Sequence, residues 1–163
     1  MADANEYISY QGYQRLSDER DRLARVERPA VVLNVSAAAA EGDLSENAEY
    51  IYGKRRLREI DKRLEFLTGR LDKLTPVKEA TSNDRVVFLS YVHVEDAKGN
   101  EHVFRLVGAD ESDTKDDSRW ISYLSPVGRA LLGKQVDDDV RIRTPGGLKQ
   151  FTILEISTDP IAM

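Results

Sequence analysis

The chain has 163 residues, of which 33% are charged and 7% aromatic, and its formal net charge is −5. This length fits one large domain or two small ones, and the negative charge argues against a protein that simply coats nucleic acid. The chain has no cysteine, which excludes a disulfide framework and a thiolate metal site. We find no secretory signal and no apolar run near the roughly 20 residues that span a bilayer. We therefore expect a cytoplasmic protein without a membrane partner.

The first helix is predicted to begin near Tyr10, with Ser9 as its N-cap. Residues 1–8 are polar and are expected to be frayed. Pro29 predicts a kink or short break within this helix, and Gly42 predicts its end. The apolar stripe that indicates the helix consists of Leu16, Leu23, Val26, Ala30, Leu33 and Ala37.

A second helix is predicted from about Glu46 to Leu74, and Pro76 ends it. Its apolar side chains keep a strict 3-4 spacing, which is typical of a coiled-coil seam. The link around Gly42 is short, so the two helices are expected to lie antiparallel as a hairpin over residues 1–75. The seam consists of Leu57, Ile60, Leu64, Leu67, Leu71 and Leu74, and Tyr50 and Gly53 extend its register backwards.

After Pro76 the apolar period becomes two, which predicts strands and a small α+β domain over residues 76–163. Ser125 is expected to cap a short helix that has Pro126 at its first position and Gly133 after its end. Residues 108–119 are expected to form an acidic loop. The predicted strands are 86–89, 91–94, 102–107, 120–124, 140–143 and 151–156.

The hairpin tip, residues 41–50, contains four carboxylates and no basic residue. Asp43 and Glu46 are three residues apart at a helix start, which is the spacing of a capping box and suits the helix dipole. That interpretation leaves the lack of Lys and Arg unexplained. The alternative is a partial Mg²⁺ site, since Mg²⁺ is often held by one or two carboxylates together with waters and substrate phosphates. A second molecule would then have to supply the remaining ligands.

Basic residues dominate residues 54–63 of the helix that follows the tip, where Glu59 and Asp61 are the only acids. Two interpretations stay open: a solvated helix face, or a surface that guides a phosphate backbone toward the acids. The basic residues are Lys54, Arg55, Arg56, Arg58, Lys62 and Arg63.

Several segments together resemble the Gre family of bacterial transcript-cleavage factors. Gly42–Tyr50 resembles the tip signature of that family, and Lys54–Asp61 resembles the following helix of its GreB branch. Ile121–Leu132 and Thr144–Gly147 resemble its C-terminal domain. The similarity extends from about residue 8 to residue 156.

The resemblance implies an α+β protein with an N-terminal antiparallel coiled-coil hairpin and a small FKBP-like domain that docks on bacterial RNA polymerase. The hairpin would enter the secondary channel of the polymerase. Asp43 and Glu46 would there stabilise a Mg²⁺ ion shared with the polymerase, whose own active site hydrolyses backtracked RNA near the 3′ end of the nascent transcript. The protein would act as a monomer and as a cofactor of cleavage, not as an enzyme itself, and would rescue arrested complexes.

By the same resemblance, Ser125 and Pro126 match the polymerase-docking motif. Leu44 and Leu124 depart from the pattern, since the GreB branch tends to have Arg at the first position and the family usually has Asp or Asn at the second. The basic residues that would hold extruded RNA are Lys54, Arg55, Arg56 and Arg58.

Other functions fit parts of the sequence. Some relatives of the family bind the polymerase and inhibit it, an FKBP-like fold also suggests a prolyl isomerase, and a pure coiled-coil adaptor would not need the acidic tip. His93 and His102 lie on strands that are predicted to pair, but no third metal ligand accompanies them. Trp120 is expected in the core and residues 137–139 in a solvated turn.

Overall fold

The computed structural model describes residues 5–112 and 119–162. The chain divides into two units, Tyr13–Leu74 and a second unit that combines Met1–Gly12 with Thr75–Met163. The elements in chain order are β1 (Glu6–Ser9), α1 (Tyr10–Arg22), a π-helical turn (Leu23–Glu27), α2 (Arg28–Ala39), α3 (Ala48–Lys73), β2 (Leu74–Val77), β3 (Tyr91–Asp96), β4 (Glu101–Val107), β5 (Trp120–Ser122), α4 (Pro126–Leu131), β6 (Asp139–Thr144) and β7 (Gly147–Ser157).

The first unit is a helical hairpin, as predicted. Helix α3 begins two residues after the predicted start and ends just before Leu74. Its predicted seam is confirmed, because Ile60 and Leu67 are fully buried and pack with Leu23 of the other arm. At Gly53 the two arms approach closely, since a Cβ there would lie 2.5 Å from Cγ2 of Val35.

The predicted stripe of the first arm is wrong beyond Leu23. The chain forms a π-helical turn over Leu23–Glu27, in which the amide of Arg28 bonds to the carbonyl of Leu23, five residues back. Such a turn holds one residue more than an α-helical turn, so every later side chain is rotated by one position. Val31 and Ala38 consequently face α3, whereas Leu33 is 71% exposed.

The break lies just before Pro29, where the sequence predicts one. Proline has no N–H and clashes with the preceding turn of an α-helix, so a wider turn is accommodated most easily directly upstream. Pro29 itself stands in the first turn of α2, directly after this wider turn.

The predicted fraying at the N-terminus is wrong for residues 6–8, which together with Ser9 form β1 and pair with β2. Ile8 is fully buried and Ser9 is 3% exposed. The prediction for Ser9 is confirmed, since its hydroxyl accepts a hydrogen bond from the amide of Gly12 at 3.0 Å in the first turn of α1. These first residues group with the C-terminal part of the chain, so the hairpin unit begins at Tyr13 and not within residues 1–12.

The second unit is built on a five-stranded curled sheet with the order β5-β4-β3-β7-β6. All neighbours are antiparallel except β4 and β5, which are parallel. One face buries the main core together with α4, and its central side chains include Val94, Leu106 and Ile153. A smaller cluster, which includes Leu89 and Val107, is packed by Trp120 as expected.

Residues 86–89 do not form the predicted strand. Leu89 has a left-handed backbone (φ 73°), which a strand does not allow, and the hydroxyl of Ser90 accepts a hydrogen bond from the amide of Val87. The segment instead bonds elsewhere: Val86 donates to the carbonyl of Lys134. The apolar residues of this segment thus indicate burial of their side chains, not a strand that pairs with a neighbour.

The remaining strands and the short helix agree with the prediction, with bounds shifted by a few residues. Ser125 caps α4 by accepting a hydrogen bond from the amide of Gly128, Pro126 is its first residue, and Gly133 after its end has φ +80°. The predicted acidic loop lies partly outside the described residues, since 113–118 are not among them. Among the helices of the described ranges, none is long and apolar enough to cross a membrane.

Candidate functional site at the hairpin tip

The tip connects α2 to α3 and is held by one side chain, Asn47. Its Oδ1 accepts a hydrogen bond from the amide of Tyr50 at 3.1 Å and so caps α3. Its Nδ2 donates to the carbonyl of Ala38 at 2.7 Å, at the end of the opposite arm. Ala38 is 1% exposed, and its carbonyl also accepts a hydrogen bond from the amide of Glu41 at 3.1 Å, so Asn47 adds a second bond to this buried acceptor. One amide therefore holds both ends of the connection.

Because Asn47 is the cap, the proposed capping box of Asp43 and Glu46 is wrong. Asp43 Oδ1 instead accepts hydrogen bonds from the amide of Ser45 at 3.1 Å and from its hydroxyl at 2.7 Å, which closes a local turn. Both acids are exposed. Within residues 5–112 and 119–162, Glu46 has neither a hydrogen-bond partner nor an ion-pair partner.

The two acids fit part of a Mg²⁺ coordination shell by their chemistry. They are hard oxygen ligands, and exposed carboxylates without a neighbouring cation are available to an ion. Asp43 keeps Oδ2 free of hydrogen bonds to the described residues, while Oδ1 holds the turn. No group of three or more His, Cys, Asp or Glu side chains in the described ranges could hold a metal alone. A second molecule would have to complete the shell.

The predicted basic residues fall into two classes. Lys54, Arg55 and Arg58 are exposed, and none has an ion-pair partner among the described residues. Arg56 is different: it is half-buried and bonds to Glu27 of the other arm at 3.1 Å and to Glu59 at 3.3 Å. The exposed three are therefore available for phosphates, while Arg56 joins the two arms.

Further ion pairs of the same kind hold the arms together. Arg28 bonds to both carboxylate oxygens of Asp61, at 2.7 and 3.3 Å, and this pairing holds the pKa of Asp61 below its usual range. Arg63 bonds likewise to Glu19, at 2.6 and 2.8 Å, and lowers the pKa of that carboxyl. Arg63 thus joins the arms, whereas Lys62 is exposed without an ion-pair partner in the described ranges.

The predicted docking residues lie at the start of α4 in the second unit. The Ser125 hydroxyl is engaged internally, since it accepts from the amide of Gly128 at 3.1 Å and donates to the carbonyl of Ser122 at 2.6 Å. Pro126 is exposed, whereas Leu124 is half-buried. A Cβ on Gly128 would lie 2.2 Å from the carbonyl oxygen of Ser122, so only glycine allows this turn. Ser125 therefore positions the segment and Pro126 is its accessible group.

The two histidines do not converge on a metal site. His93 Nε2 lies 2.8 Å from a carboxylate oxygen of Glu101, and His102 Nε2 lies 3.0 Å from one of Asp96. The hydrogen bond from His102 is the main reason why the pKa of Asp96 lies below its usual value. Each histidine has its own carboxylate, which agrees with an ordinary structural role.

Comparisons with known proteins agree with this architecture. Residues 6–75 match the family model described as transcription elongation factor, N-terminal, and residues 81–158 match the one described as transcription elongation factor, GreA/GreB, C-term. The chain belongs to the GreA/GreB family of transcription elongation factors.

Individual relatives indicate the branch. The chain is 51% identical to transcription elongation factor GreB of Yersinia pestis over 98% of its own length and 92% of that protein. It is 50% identical to GreB of Pasteurella multocida (strain Pm70), over 96% and 98%. Among solved structures, the transcription factor Gfh1 matches at 25% identity and a TM-score of 0.44, with 96% of this chain and 99% of that one covered. The family models and the identity to the GreB proteins show that the chain is a Gre factor of the GreB branch.

Sequence reasoning missed two residues near the tip. Asn47 was readable as a cap, because Asn is among the best N-cap residues, but the spacing of Asp43 and Glu46 offered a competing cap. Tyr52 lies on α3 close to the tip with 69% of its surface exposed. The apolar periodicity leaves Tyr52 outside the seam but does not indicate how far its ring is exposed.

Proposed function

We propose that this elongation factor stimulates RNA polymerase to cleave backtracked nascent RNA, with its hairpin tip reaching the polymerase active site through the secondary channel. The observation that carries the proposal is the capping by Asn47. It leaves Asp43 and Glu46 exposed and without a structural task that requires both charges. Membership of the GreB branch supports the same function.

In this proposal, Asp43 and Glu46 hold a Mg²⁺ ion jointly with the polymerase. Such an ion supplies an activated, oriented water for attack on a phosphodiester and neutralises charge at the phosphoryl oxygens. The chain contributes the two carboxylates and their fixed position. Ser45 holds one oxygen of Asp43, and Asn47 fixes the start of α3. The hydrolysis itself belongs to the polymerase, so the factor alone cleaves nothing.

The exposed bases would act on the RNA that backtracking extrudes. Lys54 and Arg58 are one helical turn apart and Arg55 lies beside them, which forms a cationic strip on the first turns of α3. Each phosphate neutralised by such a cation adds to a salt-dependent affinity. Arg56, which was predicted to join them, is occupied by Glu27 and Glu59 and has a smaller part in this role.

The C-terminal unit would supply the docking contact with polymerase. Pro126 is exposed at the first turn of α4, and a rigid apolar ring is a suitable contact for a protein surface. Ser125 supports it from beneath through its two internal hydrogen bonds. Docking and tip chemistry thus depend on different units of the chain.

A single assay separates this function from its alternatives. The protein is added to stalled, backtracked elongation complexes with labelled RNA, and the products are then offered nucleotides. Cleavage stimulation gives shortened RNA that the polymerase extends again. An inhibitory relative slows elongation without shortening the RNA, and a prolyl isomerase or a structural adaptor produces neither effect. Intact RNA in the presence of polymerase-bound factor would overturn the proposal.

A further inference from the structure

Tyr52 is the most exposed aromatic side chain near the tip. The residue is 69% exposed, and its ring makes no ring contact or hydrogen bond with the described residues. It lies on α3 four residues after Ala48, which corresponds to about 6 Å along the helix. Single exposed aromatic residues are common on protein surfaces, but this one stands five residues after the cap Asn47 and among exposed bases.

We propose that Tyr52 is a stacking platform for a base of the extruded RNA, which rests on the proposed function above. Single-stranded nucleic acid is commonly bound by an aromatic ring that takes the base and a neighbouring cation that takes the backbone. Arg55 lies three residues after Tyr52 and is therefore its neighbour on the helix surface. It is exposed and has no ion-pair partner among the described residues.

The surface beside the ring is concave. Tyr52 borders a hollow of about 390 Å³ between α2 and α3, which reaches to Gly53. Val31 and Ala37 of α2 line the opposite side. Asn34 and Glu49 at its edge provide an amide and a carboxylate, which are the groups that hydrogen-bond to base edges and to the 2′-hydroxyl of RNA. A base on the Tyr52 ring would therefore find polar partners beside it.

The chain offers a matched control in Phe66, which is 51% exposed farther along α3. Its ring is covered by the Arg63 guanidinium at 5.2 Å. Phe66 thus has a partner within the protein, whereas Tyr52 has none in the described part of the chain. If exposure of an aromatic ring were enough for RNA binding, substitutions at Tyr52 and Phe66 would have the same effect.

The first test uses backtracked elongation complexes whose extruded RNA carries 2-aminopurine at one position at a time. The full-length factor carries Asp43→Asn and Glu46→Gln, so that the RNA persists. We expect quenching of the fluorescence at one extruded position. The quenching should persist in Tyr52→Phe and Phe66→Leu but disappear in Tyr52→Leu. Equal quenching with Tyr52→Leu, or none with Tyr52 while the factor occupies the polymerase, would overturn the proposal.

The second test uses the native tip and measures cleavage. Tyr52→Leu should raise the factor concentration needed for half-maximal cleavage about tenfold, as the loss of one stacked base would. An abasic nucleotide at the quenched position should raise this concentration by the same factor for the native protein. It should cause no further increase for Tyr52→Leu. If native factor stimulates cleavage and Tyr52→Leu matches it, stacking is wrong and the proposed function stands. If native factor stimulates no cleavage, the proposed function itself fails.

Discussion

Asn47 donates a hydrogen bond from its side-chain amide to the carbonyl of Ala38, 2.7 Å away at the end of the opposite helix. The same side chain caps α3 through Tyr50. A carboxylate at this position could accept from Tyr50 but could not donate to Ala38. The two helix ends at the tip are thereby joined by a neutral residue, and neither Asp43 nor Glu46 takes part in capping α3.

This arrangement predicts that the two kinds of tip substitution separate stability from function. Asn47→Ala removes the cap of α3 and the hydrogen bond that joins it to the opposite arm, so it should lower the free energy of unfolding of the hairpin by about 1–2 kcal/mol. Asp43→Asn should leave it nearly unchanged. Chemical denaturation followed by far-UV circular dichroism measures both. Equal destabilisation by the two variants would indicate that Asp43 also caps α3.

The π-helical turn predicts which face of α2 carries stability. Ile60→Ala, in the buried seam opposite, should cost about 2–5 kcal/mol. Leu33→Ala should cost less than about 0.5 kcal/mol, because Leu33 is 71% exposed. The same denaturation experiment compares them. A loss at Leu33 as large as at Ile60 would mean that α2 keeps the uninterrupted register that its sequence suggests.

The cationic strip predicts an effect that depends on the length of extruded RNA. Replacing Lys54, Arg55 and Arg58 by Gln should slow cleavage on complexes backtracked by many nucleotides more than on those backtracked by a few, because longer RNA offers more phosphates. The difference should shrink at high salt. Arg56→Gln is the matched control, since its guanidinium already pairs with Glu27 and Glu59. Equal losses on both substrates would identify the strip as a merely solvated face.

At the start of α4, we expect Ser125 to stabilise the fold and Pro126 to contact the polymerase. Pro126→Ala should weaken binding to polymerase while leaving the fold intact, because Pro126 is exposed. Ser125→Ala should both destabilise the unit, by about 1 kcal/mol, and weaken binding, while Ser125→Thr should restore both because it keeps the hydroxyl. Competition with labelled native protein for polymerase is the measurement. Undiminished binding by Pro126→Ala would exclude this surface from docking.

The fold was readable from the sequence where no local signal competed with another. The unbroken 3-4 spacing from Leu57 to Leu74 located α3 and its buried face. Ser125 with Pro126 located α4, because the cap and the first-turn proline agree. The face of the first arm was not readable beyond Leu23, since apolar spacing carries no record of the extra residue that a π-helical turn inserts.

The errors at the other positions also have physical causes. Ile8 is a single large apolar residue in a polar stretch, and its burial depends on pairing with a strand more than 60 residues away. The apolar run before Leu89 looks extended, but one left-handed residue and one hydroxyl redirect its hydrogen bonds. The composition of the tip indicated its acids. The sequence did not decide between Asn47 and the acids as the cap of α3, and the structure shows that Asn47 is the cap.

In the proposed function, stimulation of cleavage depends on Asp43 and Glu46, and a double variant tests this. Cleavage of backtracked RNA is measured with polymerase present, at one Mg²⁺ concentration and with saturating factor, for the native protein and for Asp43→Asn combined with Glu46→Gln. We expect native folding, native binding to polymerase and a cleavage rate lowered by at least about 10²–10³-fold, with partial recovery as Mg²⁺ is raised. Native cleavage by the double variant, with equal binding, would contradict it.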